Sequence, residues 1–246
     1  MITAASDAIA ETLYPTRCIG CDEPGWLVCP HCDEHLERID LNRACKRCGA
    51  AYGSLACTEC TAPGELDASG SVVEPPFIFD AARCACSYDG AASGIIRAYK
   101  DNDERRLAPY IANEMLRATK GSSELEDWGR SASAIIAVPP TAQNARKRGW
   151  EHMAPIARLV AEGAHLPVIN ALQSSNAADQ RQLGRKERAA NRRKSIGLAP
   201  TAGKLPRTVI LLDDVLTTGA TCDAAAFALK SAGVERVLVV TFARVW

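Results

Sequence analysis

The segment 208–243 most constrains how this chain folds. Thr208–Leu212 is an apolar run of strand length, Ala220–Ala232 has the composition of a helix that Gly233 ends, and Arg236–Ala243 is a second apolar run. A strand, a helix and a strand in this order predict a parallel crossover. Strands this apolar are usually buried on both faces. The segment therefore predicts an α/β fold, with a parallel sheet covered by helices on both faces.

The rest of the chain divides into a small N-terminal module, a linker and the larger α/β domain. Its 246 residues suit one ordinary domain and a small one. We place the three parts at 1–64, 65–80 and 81–246. In the larger domain, apolar periodicity predicts further elements: strands at Ala81–Tyr88 and Ala134–Val138, and helices at Ala91–Tyr99, Leu107–Thr119 and Met153–Glu162.

Two neighbouring acids, Asp213 and Asp214, follow the strand Thr208–Leu212 directly. Ligands of open parallel sheets bind beyond the carboxyl ends of the strands. Adjacent carboxylates are costly to place there unless something satisfies them. Vicinal ribose hydroxyls can donate to them, and a magnesium ion carried with the substrate would help further.

A loop rich in hydroxyls separates these acids from the next helix. Its sequence, Thr217-Thr218-Gly219-Ala220-Thr221, offers side-chain hydroxyls and free main-chain N–H groups at a helix N-terminus, which is a nest for an anion. No lysine follows Gly219, so the loop is not a Walker A motif. A helix cap and a strand end would each be common alone, but they leave the two features unexplained together. The order along the chain, two carboxylates and then a loop suited to an anion, predicts a site for a phosphorylated sugar.

Eight of the eleven cysteines form four Cys-x-x-Cys pairs in the N-terminal module: Cys18/Cys21, Cys29/Cys32, Cys45/Cys48 and Cys57/Cys60. Two such pairs complete a tetrahedral thiolate site, so this spacing predicts two structural zinc ions. Disulfides and iron–sulfur ligation are the alternatives. Sequential pairing is the simplest arrangement, and a cross-braced pairing stays open. Acids outnumber bases in the module, which favours packing on the larger domain or on a protein partner over generic DNA binding.

The segment Asp213–Thr221, with Val209–Leu212 before it, resembles the phosphoribosyl-diphosphate signature of type I phosphoribosyltransferases. This resemblance implies that Asp213 and Asp214 hold the ribose hydroxyls. It also implies that the loop holds the 5-phosphate. The residues implied to bind ribose 5-phosphate are Asp213, Asp214, Val215, Leu216, Thr217, Thr218, Gly219, Ala220 and Thr221.

Nearly the whole chain resembles the ComF family, whose members join a double zinc ribbon to such a domain. The stretches that carry the resemblance are Ser87–Gly90, Ile95–Lys100, Ala137–Pro140, Arg146–Gly149, Gln182-Leu183 and Glu187-Arg188 with Asn191. The diphosphate-binding residues that it implies are Lys100, Val138, Pro139, Pro140, Arg146 and Arg148. The chain departs from the family pattern at Trp150-Glu151-His152, where an aromatic residue, Asn and Gln are usual, and at Thr141, where His is usual.

The resemblance implies a magnesium-dependent transfer of ribose 5-phosphate from phosphoribosyl diphosphate to an unknown nucleophilic acceptor. Asp213 and Asp214 would be the catalytic residues, since they fix the sugar near the developing positive charge. Asp214 and Glu151 are candidates for a general base. His152 has suitable chemistry, or it is an exposed residue at a helix start.

The alternative function is a non-catalytic module that binds a nucleotide or single-stranded DNA. Family resemblance implies DNA uptake in natural competence, with competence proteins as possible partners. The basic segment 181–194, with Arg181, Arg185 and Arg188, is either a mobile lid over diphosphate, a nucleic-acid contact or a solvated helix face. No aromatic residues interleave there for base stacking.

Bulk composition excludes some classes of function. The formal net charge is zero, so no overall field favours nucleic acid or an anionic membrane. No apolar run approaches the length of a membrane-spanning helix. The first residues contain Asp7 and Glu11 and lack a basic start, unlike a signal peptide. We therefore expect a cytoplasmic protein that does not insert into membranes.

Overall fold

A computed structural model describes residues 15–55, 57, 60, 77–120, 131–174 and 195–245. The basic segment 181–194 and most of the linker 65–80 lie outside these residues. The helices are α1 (Pro30–Glu34), α2 (Gly90–Asp101), α3 (Ala108–Thr119), α4 (Ala142–Arg148), α5 (Met153–Ala164) and α6 (Ala220–Ser231). The strands are β1 (Ala81–Ser87), β2 (Ile135–Ala137), β3 (Leu172–Ser174), β4 (Ile196–Leu198), β5 (Thr208–Leu216) and β6 (Arg236–Arg244).

The main sheet has four strands in the order β1-β6-β5-β2, and every neighbouring pair in it is parallel. This confirms the predicted parallel sheet. Strand β5 continues through both acids to Leu216, past the predicted end at Leu212. It does so because β6 continues beside it, with Leu216 paired to Arg244. Asp213 and Asp214 are therefore part of a paired strand and do not lie in the loop that follows it.

Successive residues of β5 face opposite sides of the sheet, as strand geometry requires. Ile210 and Leu212 join the core that contains α2, α3 and α5. Val209 and Leu211 join the core that contains α6 and the β3–β4 pair. Helices therefore cover both faces, as the apolar strands predicted.

Several small elements, α1, α4, β3 and β4, were not predicted from the sequence. Helix α4 begins at Thr141, whose hydroxyl accepts a hydrogen bond from the main-chain N–H of Asn144 at 3.2 Å. It ends at Gly149, which has the left-handed φ of 72° common after a helix. The antiparallel pair β3–β4 joins two three-residue strands that are separated in the chain by residues 175–195. Elements this short carry too little periodicity to be recognised.

The N-terminal module packs on the larger domain, one of the two outcomes that its charge predicted. Residues 37–39 lie along the free edge of β1, where Ile39 donates its N–H to Ala85 and Ser87 donates to Glu37. Arg38 then reaches Glu114 on α3, at 2.9 Å between Nη2 and Oε1. The module thus covers an edge strand that would otherwise expose unpaired main-chain groups.

Among the residues that the structure describes, every helix is too short or too polar to cross a bilayer.

Replacing Arg38 is expected to destabilise the protein. Arg38→Met would remove one cation that contacts the 10% exposed Glu114 side chain and would leave the carboxylate paired with Arg117, at 2.8 Å. Because Arg38 itself is 25% exposed, we expect a loss of about 1–3 kcal/mol, less than for a fully buried pair. Urea unfolding of the zinc-loaded protein measures it, with Arg207→Met, an 82% exposed arginine, as the matched control. Equal stability of the two variants would contradict the role of Arg38.

Candidate functional site

The two acids at the end of β5 have different partners. Asp214 is 4% exposed. Its Oδ2 lies 2.6 Å from Nζ of Lys100 and 2.7 Å from Nε2 of His152. Asp213 is partly buried; its Oδ1 accepts the main-chain N–H of Asp214 at 2.9 Å, and its Oδ2 lies 3.6 Å from the sulfur of Cys222. Within the described part of the chain, cations therefore contact Asp214 directly and not Asp213.

These partners separate the two acids in pKa. Burial alone would raise the pKa of Asp214, but hydrogen bonds and charge from His152 and Lys100 lower it to about 2. Burial and the adjacent Asp214 carboxylate raise the pKa of Asp213 to about 7. The site thus combines an acid that stays ionised with one that exchanges its proton near neutral pH, a combination typical of functional sites.

His152 is a buried residue, so its interpretation as an exposed helix-start residue was wrong. It directly precedes α5 and is 5% exposed. The hydroxyl of Tyr99 donates to its carbonyl oxygen at 2.6 Å, and Trp150 packs edge-on against its ring. No local pattern indicates the pairing with Asp214, because the two residues are 62 positions apart in the chain.

The threonine–glycine loop turns the chain from β5 into α6. Gly219 precedes the helix with a φ of 76°, where a residue with a side chain would be strained. The side chains of Thr217 and Thr221 line the cleft beside the acids. Leu216 is 1% exposed and points into the core. Of the implied phosphate-binding residues, the two threonines therefore present side chains to the cleft.

One cleft of about 340 Å³ joins these groups to the segment after β2. Val138, Pro139, Pro140 and Arg148 line it together with the acids, and so do Lys100 and His152, which contact Asp214. This volume is in the range of small-molecule sites. Tyr88, Ile96, Thr141 and Asn144 also line it, and sequence reasoning did not assign them.

Three of the predicted functional side chains lie elsewhere or have another partner. Arg146 is exposed on α4 and does not line the cleft. Lys100, which the resemblance assigned to diphosphate, contacts Asp214. Glu151 faces a different cavity, on the far side of Pro139 and Pro140. Arg181, Arg185 and Arg188 lie outside the described residues.

The cysteines of the N-terminal module form two clusters in sequential order. Cys18, Cys21, Cys29 and Cys32 form one, and Cys45, Cys48, Cys57 and Cys60 form the other, with all sulfurs of a cluster within 4.8 Å of one another. The sulfurs of Cys21 and Cys29 are 3.5 Å apart, and those of Cys48 and Cys57 are 3.6 Å apart. Zinc bound at about 2.3 Å in a tetrahedron needs sulfurs about 3.8 Å apart. Both clusters therefore fit zinc, with the sequential pairing.

Comparison with curated proteins gives a relative that matches most of the chain. The chain is 25% identical to Competence protein F of Haemophilus influenzae over 222 residues, covering 88% of this chain and 96% of that protein. With the two cysteine clusters, this similarity confirms the resemblance to the ComF family. No family model matches the chain.

Comparison with solved structures gives matches of low similarity, and three of them are described next. An allosteric regulatory enzyme of purine biosynthesis has a TM-score of 0.36 and 18% identity over 55% of this chain. Glutamine phosphoribosylpyrophosphate amidotransferase of B. subtilis, complexed with ADP and GMP, has a TM-score of 0.36 and 19% identity over 54%. Orotate phosphoribosyltransferase of Aeropyrum pernix has a TM-score of 0.33 and 16% identity over 73% of this chain and 84% of its own. The match spans 25% of each of the first two.

The strand order, the two helical layers and the cysteine clusters define the fold class that the sequence predicted. It is an α/β fold with a parallel sheet that helices cover on both faces, and a small N-terminal module with two cysteine clusters.

We expect the protein to hold two zinc ions per chain, one in each cluster. Cys32→Ser and Cys60→Ser each remove one thiolate ligand, so each variant should fall toward one zinc. Metal analysis after gel filtration under reducing conditions measures the ratio. Cys86→Ser, a buried cysteine outside both clusters, should keep the full complement. Fewer than one zinc in the unaltered protein would contradict the assignment.

Asp213→Asn is expected to stabilise the protein at pH 8 and to do so much less at pH 5. The pKa of Asp213 rises from 3.8 to about 7 on folding. Between these values the unfolded chain loses a proton that the folded protein keeps, so stability falls as the pH rises through this window. Asp214 stays ionised there, because its pKa is lowered. Asparagine does not titrate. The free energy of unfolding of the variant should therefore exceed that of the unaltered protein by an amount that grows, from pH 5 to pH 8, by about 1–3 kcal/mol.

Urea unfolding at several pH values across this window measures the difference. Asp103→Asn, a 60% exposed aspartate, is the control and should show no such trend. A difference between Asp213→Asn and the unaltered protein that is constant with pH would show that Asp213 has no raised pKa.

Proposed function

We propose that this chain binds phosphoribosyl diphosphate with magnesium and transfers ribose 5-phosphate to a nucleophilic acceptor. One observation carries the proposal. The paired acids of β5, the hydroxyl-bearing loop before α6 and the basic residues Lys100 and Arg148 all line a single cleft. The similarity to Competence protein F and the parallel α/β sheet, which places the acids at a carboxyl strand end, support it.

The acids suit the two hydroxyls of a ribose. Asp213 and Asp214 are consecutive residues at the end of β5, and both line the cleft. Each ionised carboxylate accepts hydrogen bonds, and vicinal hydroxyls donate them. Because Asp214 is already held ionised by its cationic partners, it is ready to accept. Asp213 must lose its proton, which the approach of a cationic sugar or a metal ion would favour.

The loop suits the 5-phosphate of the same sugar. Thr217 and Thr221 offer hydroxyl groups to the cleft, and α6 begins at Ala220 with its N-terminal end at the loop. Unpaired main-chain N–H groups and the helix dipole favour an anion at such an end. The position of Gly219 lets the chain enter the helix in one sharp turn. The order along the chain, acids and then nest, matches the order of hydroxyls and phosphate along ribose 5-phosphate.

The segment that follows β2, together with Arg148, suits the diphosphate. Val138–Pro140 follow β2, and Arg148 lies at the end of α4 with its guanidinium 3.6 Å from Asp101. Arginine binds phosphate oxygens through paired N–H groups. Lys100 also lines the cleft, and its Nζ lies 2.6 Å from Oδ2 of Asp214. It can therefore donate to Asp214 and, with a bound ligand, to the diphosphate.

The chemistry is a displacement at C1 of the ribose. The bond from C1 to the diphosphate oxygen breaks, and its electron pair leaves with the diphosphate. A lone pair of the acceptor forms the new bond, and the acceptor releases a proton. Asp213 and Asp214 stabilise positive charge on the sugar, while Arg148 and Lys100 stabilise the departing anion. Magnesium, when bound with the diphosphate, would neutralise further charge there.

Calorimetry with phosphoribosyl diphosphate and magnesium tests the proposal. Asp213→Asn with Asp214→Asn removes both carboxylates, so we expect binding to weaken by about a hundredfold or more, since each lost charged hydrogen bond costs roughly 1.5–3 kcal/mol. Glu162→Gln with Glu235→Gln, at side chains 65% and 57% exposed, removes the same charge away from the cleft. Unchanged binding in the first variant, or none in the unaltered protein, would refute the site.

An acceptor screen then separates transfer from binding alone. Release of diphosphate in the presence of an acceptor establishes the transferase. Salt-dependent binding of single-stranded DNA, with no diphosphate released from any acceptor, would instead support the non-catalytic function.

A further inference from the structure

The carbonyl groups at the start of the threonine–glycine loop are held by one buried guanidinium. Arg244 is the last residue of β6 and is 2% exposed. Its Nη1 donates to the carbonyl oxygen of Leu216 at 3.1 Å and to that of Thr217 at 2.5 Å. The β5–β6 register places Arg244 directly beside Leu216. The side chain therefore fixes the point at which β5 ends and the loop begins.

The same guanidinium reaches the N-terminal module. Its Nε donates to the carbonyl oxygen of Cys48 at 3.2 Å. Cys48 is a completely buried member of the second cysteine cluster. A hydrogen bond from a charged donor at this depth is strong and directional. One side chain thus joins the main chain of a metal-binding turn to the main chain of the loop.

Phe77 provides a second connection between the second cysteine cluster and the loop. Phe77 packs against the second cluster, and its ring also lies against Gly219, where an added Cβ would come 2.6 Å from Cε1. Arg47, between Cys45 and Cys48 in the same turn, donates to the carbonyl oxygen of Phe77 at 2.5 Å. The turn that the second cluster shapes is therefore connected to both ends of the loop 217–219, to Thr217 through Arg244 and to Gly219 through Phe77.

We infer that Arg244 is a positioning residue that couples the second cysteine cluster to the ribose-5-phosphate loop. Metal in that cluster fixes the turn at Cys48, and Arg244 holds Leu216 and Thr217 relative to it. Loss of the metal or of the guanidinium then releases the loop. This inference rests on the proposed function for the identity of the ligand. The coupling itself concerns only the turn at Cys48 and the loop that begins at Thr217.

The test compares Arg244→Lys and Cys57→Ser with the unaltered protein in calorimetry. The probes are ribose 5-phosphate, which needs the loop, and inorganic diphosphate with magnesium, which does not. Removing charged hydrogen bonds of this kind costs affinity of about tenfold or more. We expect that loss for ribose 5-phosphate in both variants, with diphosphate binding changed less than about twofold. A purely structural role would weaken both probes together.

The double variant shows whether the two residues act as one unit. If Arg244 transmits the state of the cluster, Arg244→Lys with Cys57→Ser should weaken ribose 5-phosphate binding little more than either change alone. Arg38→Lys is the matched control, since it alters a partly buried arginine that connects the module to α3 instead. Multiplicative effects of the two changes, or ribose 5-phosphate binding that both variants retain, would overturn the coupling.

Amide hydrogen exchange keeps the inference testable without any ligand. Exchange at 217–221 should rise in Arg244→Lys and Cys57→Ser and stay unchanged in Arg38→Lys. If the unaltered protein binds neither probe, the proposed function fails while the exchange data still judge the coupling. Equal exchange at 217–221 in all four proteins would overturn the coupling even where phosphoribosyl diphosphate binds.

Discussion

Two adjacent carboxylates at the end of β5 are the constraint around which this structure is arranged. Burial disfavours charge on either acid, and each acid disfavours charge on the other. The chain resolves the conflict by giving them unequal surroundings. Asp214 contacts Lys100 and His152, whereas Asp213 contacts a main-chain N–H and the sulfur of Cys222. The result is one fixed negative charge and one acid that responds to what enters the cleft.

The apolar core sets these unequal surroundings. Lys100 extends from α2 and His152 precedes α5, and both helices pack in the same core against β5. Tyr99 shows how packing and polarity combine, because its ring is fully buried while its hydroxyl donates to the carbonyl of His152. A change in how α2 packs would therefore move a charge at the site as well as apolar surface. Such coupling makes the electrostatics of the cleft a property of the tertiary fold.

The features that could be predicted from the sequence are those that depend on residues close together in the chain. The strand before Asp213, the loop Thr217–Thr221 and the Cys-x-x-Cys pairs each lie within a few residues, so spacing alone identifies them. Contacts across the chain were not accessible in this way: Lys100 was assigned to diphosphate but pairs with Asp214, and His152 was not recognised as buried. The continuation of β5 beyond the acids also depends on a neighbouring strand, which no local pattern reports.

The position of the N-terminal module follows from its size. A segment this short has too little apolar surface for a core of its own, so thiolate clusters and contacts with the larger domain must stabilise it. Its main-chain groups satisfy two demands of that domain, the open edge of β1 at residues 37–39 and the buried guanidinium of Arg244 through Cys48. A buried cation requires acceptors, and main-chain carbonyls supply them without adding a further negative charge close to the acids of β5. The module thus supports the site from outside the cleft, through the edge of β1 and through Arg244.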